Sequence, residues 1–297
     1  MQDQAMLHLT MSEFFQKSGP PVELLRRSPQ IPFPLHTHEF SELVVIFSGQ
    51  GIHFTDRDEY VVSGGDVFVI EGNQAHGYRN VDDLVLVNIL FDPEQLRVPE
   101  ADLTRIPGYH ALVTLEPLLR RSHGFQSRLR LSSSHLDRVK ELVDALEEEC
   151  RYKQPGYQSL ATAYFMQIVG YLSRCFTNAD GPHAKPLIGL ARAVSLLDEN
   201  LARSVRISEL VSASDMSESS LLRAFRGSFG CSPIEYHLRL RLEHAAGLLP
   251  GSDLSITVIA GRCGFSDSNY FSRQFRKHYG MSPRDYRRES EAGGRAN

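Results

Sequence analysis

Ile256-Thr-Val-Ile-Ala-Gly-Arg-Cys-Gly-Phe-Ser-Asp-Ser-Asn-Tyr-Phe-Ser-Arg-Gln-Phe-Arg276 is an altered second copy of the stretch that begins at Ile207. Ile207-Ser-Glu-Leu210 matches Ile256-Thr-Val-Ile259, and Met216 matches Phe265, at an offset of 49. One inserted residue then makes the offset 50. Leu221, Arg223, Phe225 and Arg226 match Phe271, Arg273, Phe275 and Arg276, while Gly230, Ser232-Pro233 and Tyr236 match Gly280, Ser282-Pro283 and Tyr286. So many coincidences in one order mark a duplicated unit.

Each copy reads as a short helix, a turn and a second helix with an inward apolar stripe. In copy one Leu221 and Phe225 (i, i+4) pack, while Ser219, Leu222, Arg223 and Arg226 point elsewhere. In copy two Phe271 and Phe275 pack, while Ser268, Asn269, Ser272, Arg273 and Arg276 look outward. Ser217 and Ser266 stand where N-caps are needed. Arginine pairs with guanine and asparagine with adenine, and the remaining polar groups suit phosphate. One such helix alone is equally a solvated surface. Two matched copies joined by a single helix from Pro233 to Leu249 can place two reading helices roughly 34 Å apart, one DNA turn.

Charge separates this region from the rest. Ala184–Asn297 carries 16 Lys and Arg against 12 Asp and Glu, a net of +4, whereas the preceding residues carry a net of −8. A basic segment on an acidic body suits a polyanion partner for one domain. With 41% apolar and 23% charged residues the composition is that of a soluble globular protein. No apolar run reaches the ~20 residues needed to span a bilayer, and Met1–Gly19 lacks the apolar core of a signal peptide. Cys150, Cys175, Cys231 and Cys263 show neither CxxC nor zinc spacing. The expectation is a cytoplasmic protein with reduced thiols and no membrane contact.

Between Val22 and Pro93 the pattern is β. Leu43–Phe47, Tyr60–Val62, Asp66–Ile70 and Leu84–Phe91 are short β-rich runs punctuated by Gly49-Gln50-Gly51, Ser63-Gly64-Gly65 and Gly72-Asn73, which predicts a sandwich or barrel. From Ser134 the period becomes helical. Leu136, Val139, Leu142, Val143 and Leu146 form one stripe; after Gln154-Pro155-Gly156, residues Leu160, Ala161, Tyr164, Phe165, Ile168, Val169 and Leu172 form another. The organisation expected is α+β and multidomain. A sensing domain over 1–132 is followed by an antiparallel helix pair over 133–177 and a linker over 178–186. An all-α DNA-binding domain over 187–290 and a disordered tail over 291–297 complete the chain.

Arg241-Leu242-x-x-Ala245-x-x-Leu248-Leu249, then Ile256-x-x-Ile259-Ala260-x-x-Cys263-Gly264-Phe265-x-Asp267-x-x-Tyr270-Phe271-x-Arg273-x-Phe275, then Gly280-Met-Ser-Pro283-x-x-Tyr286-Arg287 resembles the signature of the AraC/XylS family over about a hundred residues. That resemblance implies two helix-turn-helix units reading promoter DNA, a role in recruiting or positioning RNA polymerase, and dimerisation through the helix pair; packing of that pair wholly onto its own barrel is the alternative. Base-reading positions fall on Ser219, Leu222 and Arg223, and on Ser268, Asn269 and Arg273, with Asp267 beside them. Ser219 is short and Leu222 apolar where relatives often carry longer polar side chains, although Leu222 suits a thymine methyl. Arg287 and Arg288 are expected to meet phosphate.

His36-Thr-His38-x-x-x-Glu42-x6-Gly49 and Gly65-x10-His76-x3-Asn80 resemble the two motifs of cupin barrels, with Glu71 and Asn73 where the second motif usually has proline and glycine. Residues 36, 38 and 42 share strand parity. Three readings stay open for His36, His38, Glu42 and His76: contact with a small molecule, a divalent metal, or a structural duty alone. The region Leu35–Leu96 further resembles the activators of enteric rhamnose operons, most clearly in His36-Thr-His-Glu-Phe-Ser-Glu42-Leu-Val and Asp83-Leu-Val-Leu-Val-Asn88-Ile-Leu-Phe. This implies a sugar effector, a 6-deoxyhexose such as rhamnose, with Tyr78 and Asn88 joining the histidines and no cofactor required. The rivals are a cupin metalloenzyme fused to a DNA-binding tail, and a repressor with the same DNA contacts.

Overall fold

Two long strands, Ser41–Thr55 and His76–Phe91, pair with each other along their lengths and organise everything before the helix pair. The computed structural model describes residues 6–16, 19–93, 95–96, 100–121, 129–179 and 184–293. In chain order the strands are β1 (Leu7–Leu9), β2 (Val22–Arg27), β3 (Phe33–His38), β4 (Ser41–Thr55), β5 (Glu59–Ser63), β6 (Asp66–Ile70), β7 (His76–Phe91) and β8 (Leu129–Arg130). They form one sheet in the order β1-β3-β7-β4-β6-β8, with β2 added to β7 and β5 to β4. All pairings are antiparallel except β1 with β3.

The expected cupin-like barrel is corrected in one respect: the hydrogen-bonded path does not close among the described residues. β1 pairs only with β3, and the two-residue β8 only with β6. The sheet instead bends. Register shifts between Ile46 and Ile52 interrupt the β4–β7 ladder, and Asn80 and Asp83 in β7 have φ of 49° and 44°; such bulges sharpen the local twist. Gly49-Gln50-Gly51, expected as a turn between short strands, lies inside β4 at this bulge. Gly49 has a φ of 73°, and a Cβ there would sit 2.1 Å from the Asp83 carbonyl oxygen, so only glycine lets the two strands cross so closely.

Parity divides the sheet into two faces. Glu42, Val44 and Ile46 oppose Leu90, Asn88 and Leu86. Val44, Ile46 and Leu86 join Val62, Phe68, Ile70, Tyr78 and Leu84 in a buried cluster. On the other face Leu43, Val69 and Phe91 meet the helices, which are α1 (Met11–Phe14), α2 (Glu100–Leu103), α3 (Pro107–Tyr109), α4 (Glu116–Arg121), α5 (Ser133–Tyr152) and α6 (Tyr157–Thr177). A π-helical stretch, His110–Leu115, joins α3 to α4. Helices α2 to α4 lie between the β-rich span and the helix pair, inside the expected sensing domain over 1–132; each is too short to leave a periodic trace in the sequence. The Phe91 and Phe165 rings are 5.1 Å apart, beside an apolar cavity of about 120 Å³. Arg26 on β2 donates to Asp144 and Glu147 at 2.6 and 2.7 Å, tying α5 to the sheet. The buried stripes Val139, Leu142, Val143 and Leu146, and Ala161, Phe165, Ile168, Val169 and Leu172, match the periodicity of the helix pair.

The chain forms two compact units, Met1–Ala191 and Arg192–Asn297, and the division falls within α7 (Ala184–Glu199). Helix α7 therefore begins inside the span expected as linker, and residues 184–186 are helical; 180–183 lie outside the described residues. The second unit continues with α8 (Ile207–Ser214), α9 (Glu218–Phe229), α10 (Pro233–Leu248), α11 (Ile256–Arg262), α12 (Ser268–Tyr279) and α13 (Pro283–Gly293). Helix α13 runs three residues into the expected disordered tail, whose last four residues are not described. Among the described residues no helix is long and apolar enough to cross a membrane.

The duplication is repeated in three dimensions. Phe225, Phe229 and Tyr236 stack with centroids 4.3 to 5.9 Å apart, and their equivalents Phe275, Tyr279 and Tyr286 with centroids 4.5 to 5.5 Å apart. Asp215 and Gly264 occupy the same left-handed turn position, with φ of 56° and 73°. Ser217 caps α9 as expected. The cap of α12 is Asp267 rather than Ser266, because the Asp267 carboxylate accepts the Asn269 N–H at 2.7 Å. Each copy is also latched to the helix before it. His237 donates to the Asn200 carbonyl at 3.2 Å. Its equivalent Arg287 donates to the carbonyls of Leu249 and Leu254 at 3.1 and 2.7 Å. Arg287 was expected on phosphate; its guanidinium instead satisfies the carbonyls that α10 and the following loop leave open.

Two substitutions test this architecture. Gly49→Ala is expected to lower stability by about 1–3 kcal/mol through forced strain, read as a drop in the urea midpoint. Arg287→Ala is expected to cost about 1.5–3 kcal/mol, the range for hydrogen bonds to a charged group. The salt slope of DNA binding should stay unchanged; a flattened slope with unaltered stability would return Arg287 to phosphate.

Candidate functional site

The second helix of each copy is anchored by its buried aromatic or leucine stripe, Leu221 and Phe225 in α9, Phe271 and Phe275 in α12. The 3.6-residue period then turns the intervening positions outward. Ser219, Arg223 and Arg226 are exposed on α9, with Leu222 half-buried between them. On α12 Asn269, Arg273 and Arg276 are exposed, and Ser268 and Ser272 are half-buried. Arg223, Arg226, Arg273 and Arg276 form no ion pair among the described residues. Their guanidinium groups remain available as forked donors.

Two expected contacts are committed locally. The Ser272 hydroxyl donates back to the Ser268 carbonyl at 2.8 Å. Asp267 lends one carboxylate oxygen to its cap and keeps the other exposed beside Asn269. Arg241, on the connecting helix α10, donates to the Cys263 carbonyl at 2.7 Å and lies 4.1 Å over the Phe265 ring. It thereby positions the turn that leads into α12.

The sensor's polar group is built at the end of the sheet where β3, β4 and β7 meet. His36 opposes His76, and Thr55 on β4 opposes His76 from the other side. This register brings together residues forty positions apart. The His36 and His76 rings are 4.3 Å apart, and His38 and His76 5.0 Å. Glu42 lies 3.8 Å from both His38 Nε2 and His76 Nε2. His38, Glu42 and His76 are almost wholly buried, and one donor atom of each lies within 4.8 Å of the others. Tyr78 follows on the same face of β7. Asn88 stands opposite Val44 on the Glu42 face, and its Oδ1 has no hydrogen-bond partner among the described residues.

Burial dominates the electrostatics. It pushes Glu42 up to about 8 against a weaker opposing pull from Arg27, and pushes His38 down to about 4 despite the Phe40 carbonyl. His36 is lowered for the same reason. Burial thus favours the neutral forms of Glu42, His36 and His38 alike. Such a set donates and accepts hydrogen bonds with equal ease, as hydroxyl-rich ligands require.

His53 is the residue beside this cluster that sequence reasoning missed. It is buried on β4, with its ring 5.2 Å from Tyr78 and from Phe68 and 5.6 Å from His76. Taking Gly49-Gln50-Gly51 as a turn ended the strand before His53. Its alternation with Gly51 and Thr55 was the available signal.

The family described as AraC-like ligand binding domain matches residues 20–169, and that described as Helix-turn-helix domain matches residues 210–289. The HTH-type transcriptional activator RhaR of Enterobacter sp. (strain 638) is 33% identical over 285 residues, 96% of this chain and 97% of that one. The RhaR of Yersinia pseudotuberculosis serotype O:1b (strain IP 31758) is 34% identical over 95% of this chain and 94% of its own. Among solved structures, a transcriptional regulator from Chromobacterium violaceum with an AraC-type DNA-binding domain is 34% identical. It covers 34% of this chain and 90% of its own, with a TM-score of 0.33. The relatives are regulators, and the metalloenzyme alternative gives way to that finding. A pair of arginine-bearing helices that follows a sheet-built sensor in the chain, matched over nearly its whole length by such relatives, places the chain in the family of AraC-type transcriptional regulators.

Proposed function

We propose that this regulator is a sugar-responsive activator of a carbohydrate-utilisation operon, with a 6-deoxyhexose such as rhamnose as its effector. The observation that carries the DNA half is the pair of equivalent helices α9 and α12, each with exposed arginines over a buried anchor. Arg273 and Asn269 read base edges, Arg223 and Leu222 read the other half-site, and Arg226 and Arg276 hold phosphate. Two such helices spaced by α10 suit successive major grooves on one side of the duplex.

The sensing half rests on the polar end of the sheet. His36, His38, Glu42, His76, Tyr78 and Asn88 offer a mixed set of donors and acceptors in a dry setting, the chemistry that orients a polyol. The relatives are named transcriptional activators, which favours activation over repression and contact with RNA polymerase once DNA is bound. The helix pair leaves Leu160 and Tyr152 47% and 63% exposed, and we assign it to a homodimer contact. The four unpaired cysteines fit a reducing cytoplasm. Effector occupancy must favour the DNA-competent arrangement by about 1–3 kcal/mol to act as a switch.

Two measurements test this reading. Arg273→Ala is expected to weaken binding at the cognate site by about 1–3 kcal/mol and to relax base preference there, as fluorescence anisotropy on cognate and random duplexes will show. Equal losses on both would contradict a reading role. Titration of L-rhamnose and other monosaccharides should shift operator affinity or reporter transcription by about 5-fold or more for one sugar. Indifference of both to every sugar would sink the effector assignment while leaving the DNA contacts standing.

A further inference from the structure

The helix side of the sensor sheet, the face turned away from Glu42, holds the apolar cavity of about 120 Å³. Its floor includes Leu43 and Val69, which stand opposite each other on β4 and β6. Phe165 and Val169 of α6 form one wall, and Leu112 and Val113 of the π-helical stretch another. Protein interiors leave few cavities larger than a water molecule, because unmatched apolar walls forfeit dispersion contacts. Two features hold this one open. A Cβ at Gly108 would lie 1.8 Å from the Ser173 carbonyl oxygen, and the Gly108 N–H donates to Thr177 Oγ1 at 2.9 Å. Backbone thus rests on backbone one turn beyond Val169, and α3 cannot close further on α6. Directly after α3 the chain winds with a widened turn, the Glu116 N–H meeting the Ala111 carbonyl five residues back. Such single π-helical turns are rare and recur at functional sites; this one carries Leu112 and Val113 into the lining.

We propose that this cavity is a second ligand site, separate from the polar cluster, for one neutral apolar molecule the size of a single six-membered ring. An apolar cavity of about 150 Å³ stays dry and accepts benzene or xenon, and the space behind β4 is of that order. Apart from Tyr109, the side chains that line it are apolar. A sugar would leave its hydroxyls unpaired there, which sets the two sites apart by chemistry. The Phe91 and Phe165 rings, 5.1 Å apart and inclined at 39°, stand in the lining together with Tyr109. Edge-to-face contacts with these three rings favour an arene over an alkane of equal volume. The site also touches elements with other duties. Leu43 follows Glu42 on β4 and faces the opposite side by parity. An occupant therefore presses from behind on the strand that carries Glu42, and on one member of the helix pair.

The test uses the full chain with benzene as the probe. Uptake is read by headspace analysis at equilibrium, and the contact is located by NMR of leucine and valine methyl groups. The wild type is expected to take up about one benzene per chain at saturation. The largest methyl shifts should fall on Leu43, Leu112, Val113 and Val169, and the unfolding temperature should rise with benzene concentration. Val169→Phe and Val113→Phe each place a ring of the protein's own in the space. Both should lose the uptake and the thermal response, while Val258→Ala, exposed on α11 of the second unit, should keep them. Circular dichroism identifies any variant that fails to fold, and the wild-type stoichiometry with its shift map then decides alone. Absence of saturable uptake overturns the site, as do shifts centred on Val44, Val62 and Leu86 of the inner cluster. So does uptake that folded Val169→Phe and Val113→Phe both retain. The sugar response is read in its own titration, so its failure would sink only the effector assignment and leave this site standing.

Discussion

The antiparallel register of β4 against β7 is the constraint on which the sensor depends. It sets Glu42 opposite Leu90, Val44 opposite Asn88 and, beyond the register shifts between Ile46 and Ile52, Thr55 opposite His76. Side-chain parity does the rest, since a shift by one residue would turn Glu42, Val44 and Ile46 to the helix side and Leu43 and Val45 inward. The bulge at Gly49 and the two left-handed residues of β7 bend this ladder. One stretch of it can therefore bury an apolar cluster around Phe68 and Leu86 while another closes on His38, His76 and the Glu42 carboxyl. A flat sheet with the same sequence would keep those ends apart.

The DNA-binding unit follows a different rule. Its helices are short, seven to sixteen residues, and such helices are marginal alone. They persist because aromatic stacks, caps and latches hold each copy to the helix before it. His237 on Asn200 and Arg287 on Leu249 are one interaction made with two chemistries. With the inner stripe fully occupied by packing, the outer stripe is free to carry arginine, asparagine and serine without a stability cost. That separation lets one scaffold serve two half-sites with different side chains.

Much of this was legible beforehand for a local reason. The duplication, the helix pair and the Ser217 cap are short-range patterns, written within a few turns of helix. The histidine motif was legible too, because residues 36, 38 and 42 share parity along neighbouring strands. The misreadings came from longer-range geometry. A glycine pair that reads as a turn was a bulge, and His53 was lost with it. Arg287 reads as a phosphate ligand in any basic helix until the carbonyls it meets are seen. Ser266 lost the cap to Asp267 by one residue, since either side chain can reach the same backbone N–H groups.

The amino-acid order by itself determined the duplicated reading unit, its apolar anchors and outward arginines, and the residue types of the polar cluster, because periodicity and spacing are properties of the chain alone. Only the tertiary structure decided which of the histidines meet Glu42, that His53 stands with them, that the sheet stays open among the described residues, and that Arg287 serves the fold. Each of those depends on strand register or on a carbonyl some forty residues away, and no local pattern encodes which of several sterically possible partners the folded chain brings within reach.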